Sequence, residues 1–202
     1  LPEPAVIYAQ KYDRGNIERA PKEDYLRYKI TDNGISPRAL PGAGMSFTVN
    51  SYEHDEAGFS TENAEEITKM IDKRQKKAVL ANVEAFGPIR YGSKTPEITL
   101  IGWGSTKMAA REAMQMLSKK GIESVSYLHF PFLSPFPVAE TIKALKDAKT
   151  IIDVENNSTG QFADYLLEKT GIEIKNKYLK YNGRQIYPED ILNYLTGFGI
   201  KI

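Results

Sequence analysis

The chain has 202 residues, 41% of them hydrophobic, which is enough apolar material for one or two packed domains. Its 27 Lys and Arg against 26 Asp and Glu leave a formal charge of +1, which gives no electrostatic case for nucleic acid or an anionic membrane as partner. Cysteine is absent, so disulfides, thiolate nucleophiles, zinc-thiolate sites and cysteine-ligated iron–sulfur clusters are excluded within the chain. No apolar run approaches the ~20 residues of a membrane span. The first residues lack the basic-then-apolar layout of a signal peptide, so the expected compartment is the cytoplasm. A chain that begins at Leu1 rather than Met suggests a fragment or a processed product.

The first ninety residues read differently from the rest. Ala5 to Ala9 is one candidate strand, and Tyr12 to Gly15 a turn. Tyr25 to Ile30 and Phe47 to Tyr52 have extended character. Between them Ile35 to Gly44 is too rich in Pro and Gly for a helix or a central strand. Tyrosines and isoleucines punctuate this loop, so it is expected to lie against a larger surface. Thr61 to Ala81 reads as a long amphipathic helix, with Ser60 or Thr61 as cap and Ala64, Ile67, Met70 and Ile71 at helical spacing. Its Lys73 to Lys77 run is read as a solvated helix face rather than a phosphate site.

From about residue 88 the pattern turns regular, with the boundary set there. Glu97–Trp103, Ser124–Leu128 and Thr150–Glu155 are strand-like. Helices are predicted from Ser105, over Val138–Ala148 and over Ser158–Thr170. A further strand at Ile174–Leu179, a turn at Asn182-Gly183 and a short helix opened by Pro188 complete the chain. The stretch from Thr99 to Val125 carries the grammar most clearly. An apolar run stops at Gly102 and Gly104, Ser105 is placed to cap, and Ala109, Ala110, Ala113, Met114 and Leu117 form one face. Gly121 then ends the helix in the left-handed region. The predicted fold is α/β: three layers, α/β/α, with a mostly parallel sheet of about five strands.

In such sheets ligands and partners collect at the carboxyl ends of the strands. Three clusters stand there. Gly104, Ser105 and Thr106 offer amides and a helix N-terminus to an anion, but Lys107 breaks a GxGxxG pattern and no P-loop follows, so an ordinary tight turn is preferred. The segment His129 to Pro137, with Phe132 and Phe136 among three prolines, is read as a loop packed on another subunit in preference to a lid. Glu155, Asn156, Asn157 and Gln161 place a carboxylate and three amides at a strand end, more than the cap expected from Asn157 or Ser158 alone requires. If the two strands are neighbours, the first and third clusters share one crevice. No lysine or arginine between Asn156 and Gln161 offsets Glu155, which favours a neutral partner over an anion. His54, among Glu53, Asp55 and Glu56, is read as structural because successive side chains of an extended segment diverge. With two histidines in the chain, no His-rich metal site can be assembled. No catalytic set or nucleophile signature emerges.

Several runs occur together in order: Ile35-Ser36-Pro37-Arg38-Ala39-Leu40-Pro41-Gly42, Tyr52-Glu53-His54-Asp55-Glu56-Ala57-Gly58, Lys73-Arg74, Gly102-Trp103-Gly104-Ser105-Thr106, Glu155-Asn156-Asn157 and Gly160-Gln161. In this the chain resembles the C-terminal part of the alpha subunit of 2-oxoacid:ferredoxin oxidoreductases, nearest the 2-oxoglutarate type. The resemblance implies a transketolase C-terminal-like domain over 88–202, preceded by a connector, 1–87, from a missing pyrimidine-binding domain. The parent enzyme it implies uses thiamine diphosphate, magnesium, [4Fe-4S] clusters and coenzyme A, with a beta subunit and ferredoxin as partners. The family's Tyr-Pro-Ile-Thr-Pro substrate loop has no counterpart here, so no cofactor is expected on this chain. Its expected role is to hold subunits in register. The alternative is a stand-alone regulatory module that binds an anion or coenzyme A. The same domain in transketolase or in the beta chain of a 2-oxoacid dehydrogenase is disfavoured by the Ser-Pro-Arg and Glu-His-Asp-Glu runs.

Overall fold

A computed structural model describes residues 14–202, with the backbone alone at 82–84. The candidate strand at Ala5–Ala9 lies outside the described residues. The chain divides into two compact units between Val83 and Glu84.

The first unit has little regular structure before its helix. β1 (Ile17–Glu18) and β2 (Arg38–Ala39) form a two-residue parallel pair, and the rest up to residue 63 is turns held by side chains. Tyr25 and Phe47 segments are not strands. The Tyr25 hydroxyl instead donates to Pro37 O and accepts from Ala39 N–H, which fastens the proline-rich loop. Asp55 and Glu56 likewise accept backbone N–H groups, at Gly58 and Phe59 and at Ile30. Such bonds satisfy a backbone that has no ladder to join. α1 (Ala64–Glu84) follows. Its cap is Asn63, whose Oδ1 accepts from the Glu65 and Glu66 amides, not Ser60 or Thr61; Thr61 instead donates its hydroxyl to Glu66.

The second unit is the α/β sandwich. β3 (Ile89–Gly92), β4 (Ile98–Trp103), β5 (Val125–Phe130), β6 (Thr150–Glu155) and β7 (Asn176–Leu179) form one sheet in the order β3-β5-β4-β6-β7, with β3 antiparallel to β5 and every other pair parallel. α2 (Thr106–Lys119) and α5 (Pro188–Thr196) cover one face. There Ala110, Ala113, Leu117, Ile191 and Leu195 pack against Leu100, Tyr127 and Val154. α3 (Val138–Leu145) and α4 (Gln161–Thr170) cover the other, where Leu145, Phe162 and Leu166 meet Ile101, Leu128 and Phe130. Successive strand residues alternate between these two cores, as the pleat requires.

Local chemistry sets the helix ends. Gly121 has φ +74° and its N–H bonds Ser118 O, while Ile122 N–H returns to Leu117 O, so α2 closes as predicted. α5 opens on Pro188, with Asp190 accepting the Tyr187 N–H. Two expectations differ. Ser105 is not a side-chain cap: it lies in the helical region and caps nothing. α4 begins at Gln161 rather than Ser158, because the Asn157 side chain takes the Thr159 and Gly160 amides into a turn and Gly160 adopts φ +74°.

Candidate functional site

β4 and β6 are hydrogen-bonded neighbours, so their carboxyl ends and the turns that follow lie side by side. Trp103, Gly104, Ser105, Thr106, Glu155, Asn156 and Asn157 line one recess of about 180 Å³. The two clusters expected to share a crevice are therefore brought together. Gln161, also expected there, is exposed at the start of α4 and is not among the lining residues.

Glu155 organises the crevice. It is 1% exposed. Oε1 accepts the Phe162 amide at 2.8 Å, at the second residue of α4, and so puts negative charge on the helix N-terminus. Oε2 accepts from Asn157 Nδ2 at 2.6 Å and from the Trp103 indole N–H at 3.3 Å. Asn157 uses its other end on the Thr159 and Gly160 amides, while Asn156 donates to the Lys180 and Arg184 carbonyls beyond β7. Every one of these groups is occupied within the unit.

On the Gly104–Thr106 side the Thr106 hydroxyl is likewise taken up within the unit. A Cβ on Gly102 would stand 2.8 Å from Thr106 Oγ1, so glycine is required for the helix to start this close to the strand. The Thr106 hydroxyl donates to Trp103 O at 2.8 Å and lies 3.3 Å from the Tyr127 hydroxyl, which in turn is 3.3 Å from His129 Nδ1. Burial pushes the Tyr127 phenol well above its ordinary range, and burial followed by the nearby Lys107 charge holds the His129 imidazole below its own. Both therefore sit neutral at pH 7, as a relay of uncharged groups under α2. A loop ready to grip an anion would have kept the Thr106 hydroxyl free, and Glu155 would repel the anion.

His129 belongs to β5 and is buried, so it is not part of the proline-rich loop as expected. Phe136 turns inward: its ring stacks on Phe130 at 6.0 Å and meets Tyr165 edge-on at 5.4 Å. Phe132 touches Phe86, whose own ring is half exposed. The loop thus uses Phe136 to close its own core and leaves Phe132 near the rim. Phe136→Ser is expected to destabilise the unit by about 1–3 kcal/mol, below the range for a fully buried ring, in urea unfolding. Phe132→Ser is expected to leave the midpoint nearly unchanged and to raise the monomer fraction in sedimentation if Phe132 is a subunit contact.

Sequence reasoning passed over Asp153. It is 0% exposed, on the same strand face as Glu155, and neither carboxyl oxygen has a hydrogen-bond partner among the described residues. Burial and then the neighbouring Glu155 push its pKa up to about 9. The signal was an acid inside the otherwise apolar run Thr150–Val154. His54 is structural: its ring lies 3.9 Å from that of Tyr28 and its Nδ1 meets Tyr52 O. Among the described residues no three of His, Cys, Asp and Glu stand together to hold a metal ion.

Residues 96–191 match the family description "Pyruvate:ferredoxin oxidoreductase core domain II". The 2-oxoacid:ferredoxin oxidoreductase subunit alpha of Saccharolobus solfataricus is 38% identical over 169 residues, 82% of this chain and 26% of that protein. The chain resembles the alpha subunit of 2-oxoacid:ferredoxin oxidoreductases. Subunit alpha of 2-oxoacid:ferredoxin oxidoreductase 2 from Aeropyrum pernix is 32% identical over 88% of this chain and 28% of its own length. Among solved structures, the 2-oxoglutarate:ferredoxin oxidoreductase of Magnetococcus marinus, with 2-oxoglutarate, coenzyme A and succinyl-CoA bound, superposes with a TM-score of 0.63 at 28% identity. That match covers 95% of this chain and 32% of the other. The chain spans about a quarter of the length of these curated relatives. Its five-stranded sheet with helices on both faces is consistent with a transketolase C-terminal-like fold. No helix among the described residues is long and apolar enough to cross a membrane.

Proposed function

We propose that this chain is a non-catalytic assembly domain of the alpha subunit of a cytoplasmic 2-oxoacid:ferredoxin oxidoreductase. The parent enzyme would oxidatively decarboxylate a 2-oxoacid, of the 2-oxoglutarate type, to its acyl-CoA and pass the electrons to ferredoxin. In this reading residues 1–87 connect from a pyrimidine-binding domain of the same subunit and 88–202 dock on the beta subunit. Thiamine diphosphate, magnesium, [4Fe-4S] clusters and coenzyme A are held by other parts of the enzyme. The donor set here does not fit a cluster or a divalent ion: the chain has no cysteine for the first and no three-ligand group among the described residues for the second.

The observation that carries the proposal is the state of the carboxyl-edge crevice. Where an enzyme of this class would place its reacting groups, Glu155, Asn157 and Thr106 are each consumed by bonds that fix the two turns. What faces outward is Trp103, 38% exposed, beside Gly104 and Ser105. A rigid surface with one amphipathic aromatic suits a partner that must be held in register, which is how a non-reacting domain supports a reaction elsewhere. Purified by itself, the chain is expected to show no magnesium-dependent binding of thiamine diphosphate in calorimetry and to reduce no ferredoxin. Magnesium-dependent cofactor binding at micromolar affinity would overturn the assignment.

A further inference from the structure

The first unit holds a recess unrelated to the crevice. It has a volume of about 290 Å³ and is lined by Arg14, Arg27, Arg38, Lys73 and Lys77 with Tyr28 and Ser36, and no carboxylate is among its lining residues. The five cations come from four separated stretches of sequence, so no local rule of helix charge accounts for their convergence. They also part company with their neighbours in the basic run of α1. Arg74 is neutralised by Glu53, with N–O distances of 2.7 and 2.8 Å, whereas Lys73 and Lys77, one turn apart, turn to the recess.

Lys73 is the decisive member. It is 4% exposed and, among the described residues, makes no ion pair within 4 Å and no hydrogen bond. Its ammonium lies 5.7 Å from the centre of the Tyr28 ring, which also carries the Arg27 guanidinium at 4.9 Å. Burial first, then Lys77 and Arg27, lower its pKa to about 8, with Glu56 drawing it the other way. Only the stem of Lys73 is fully covered, and its ammonium is held beside like charges with no carboxylate in ion-pair range, which is unfavourable. The arrangement becomes favourable when a polyvalent anion enters. Three guanidinium forks and two ammonium groups around one small volume match the several oxygens of a phosphate group better than one carboxylate. Arg38 is already steadied for this by a 3.0 Å bond from its guanidinium to Arg14 O.

We propose that Arg14, Arg27, Arg38, Lys73 and Lys77 form a binding site for a phosphate or diphosphate group. The probe is inorganic pyrophosphate, titrated into the 202-residue chain by calorimetry at low ionic strength. One-to-one binding is expected, weakening as salt is added. Lys77→Gln and Arg27→Gln should each weaken it about fivefold or more, while Lys107→Gln, which removes the same charge from the second unit, leaves it unchanged. Bound anion favours the charged ammonium of Lys73, while pyrophosphate, which titrates in the same range, releases protons on binding; near pH 8.5 the wild-type chain should therefore take up more protons, or release fewer, than Lys73→Gln, read from the heat in buffers of different ionisation enthalpy. No binding at low salt, an equal loss in Lys107→Gln, or citrate binding as tightly as pyrophosphate would each overturn the proposal.

Discussion

Glu155→Gln lowers the stability of the second unit by about 1–3 kcal/mol, the cost of leaving a buried polar group unpaired. The glutamate offers two acceptor oxygens to three donors, the Phe162 amide, Asn157 Nδ2 and the Trp103 indole. Glutamine has one acceptor and brings two more donors, so an N–H must face an N–H at one of these positions. It also removes the negative charge from the start of α4, worth a further ~0.3–1 kcal/mol. Asn157→Ala loses the bond to Glu155 and those from the Thr159 and Gly160 amides, and should cost about 1–3 kcal/mol. Trp103 is the sole tryptophan and sits in the crevice, so its fluorescence in a urea titration reads this unit directly. An unchanged midpoint for Glu155→Gln would mean that the crevice is open to water and its groups free for a ligand. A carboxylate bound within the unit makes the variant first a stability lesion and only secondarily an assembly lesion.

Asp153→Asn acts in the opposite direction. The folded-state pKa of Asp153 is raised from 3.8 to about 9. Below the unfolded value the group is neutral in both states and its relative contribution is fully present. As pH climbs from about 4 toward 9 the unfolded chain ionises while the folded one does not, and stability falls by up to about 1.4 kcal/mol per pH unit. Asparagine does not titrate. The variant should therefore be close to wild type near pH 4 and increasingly more stable toward pH 9, in melting curves taken across that window. A stability difference independent of pH would show that Asp153 ionises freely in the folded protein.

The second unit was largely legible in the sequence because its elements obey local rules. The alternation of apolar runs with glycine turns gave β4, β5 and β6, the alanine face gave α2, and Pro188 with Asp190 gave α5. What escaped depended on contacts across the fold. β3 is a four-residue edge strand containing a glycine, and it is strand only because it pairs with β5. The start of α4 was misplaced by three residues because its first turn is satisfied by Glu155, six residues upstream of Gln161, rather than by an adjacent cap. In the first unit the basic run looked like a solvated face; the burial of Lys73 comes from Tyr28 and the arginines of distant loops, which no helical periodicity reveals. The meeting of the two strand-end turns was legible, since turns after neighbouring strands must lie side by side, but Gln161 falls outside the recess and the internal wiring required the register of β4 on β6.

The claim at the centre of this account is that the chain positions the rest of an enzyme without performing its chemistry. The direct measurement combines the separately produced remainder of the alpha subunit and the beta subunit, with and without this chain, and follows both particle mass and 2-oxoacid-dependent ferredoxin reduction. The account predicts stoichiometric incorporation of the chain, with turnover appearing only when it is present and weakened by replacing the exposed Trp103 with alanine. Full turnover of the remaining parts in its absence, or failure of the chain to join them, would contradict it.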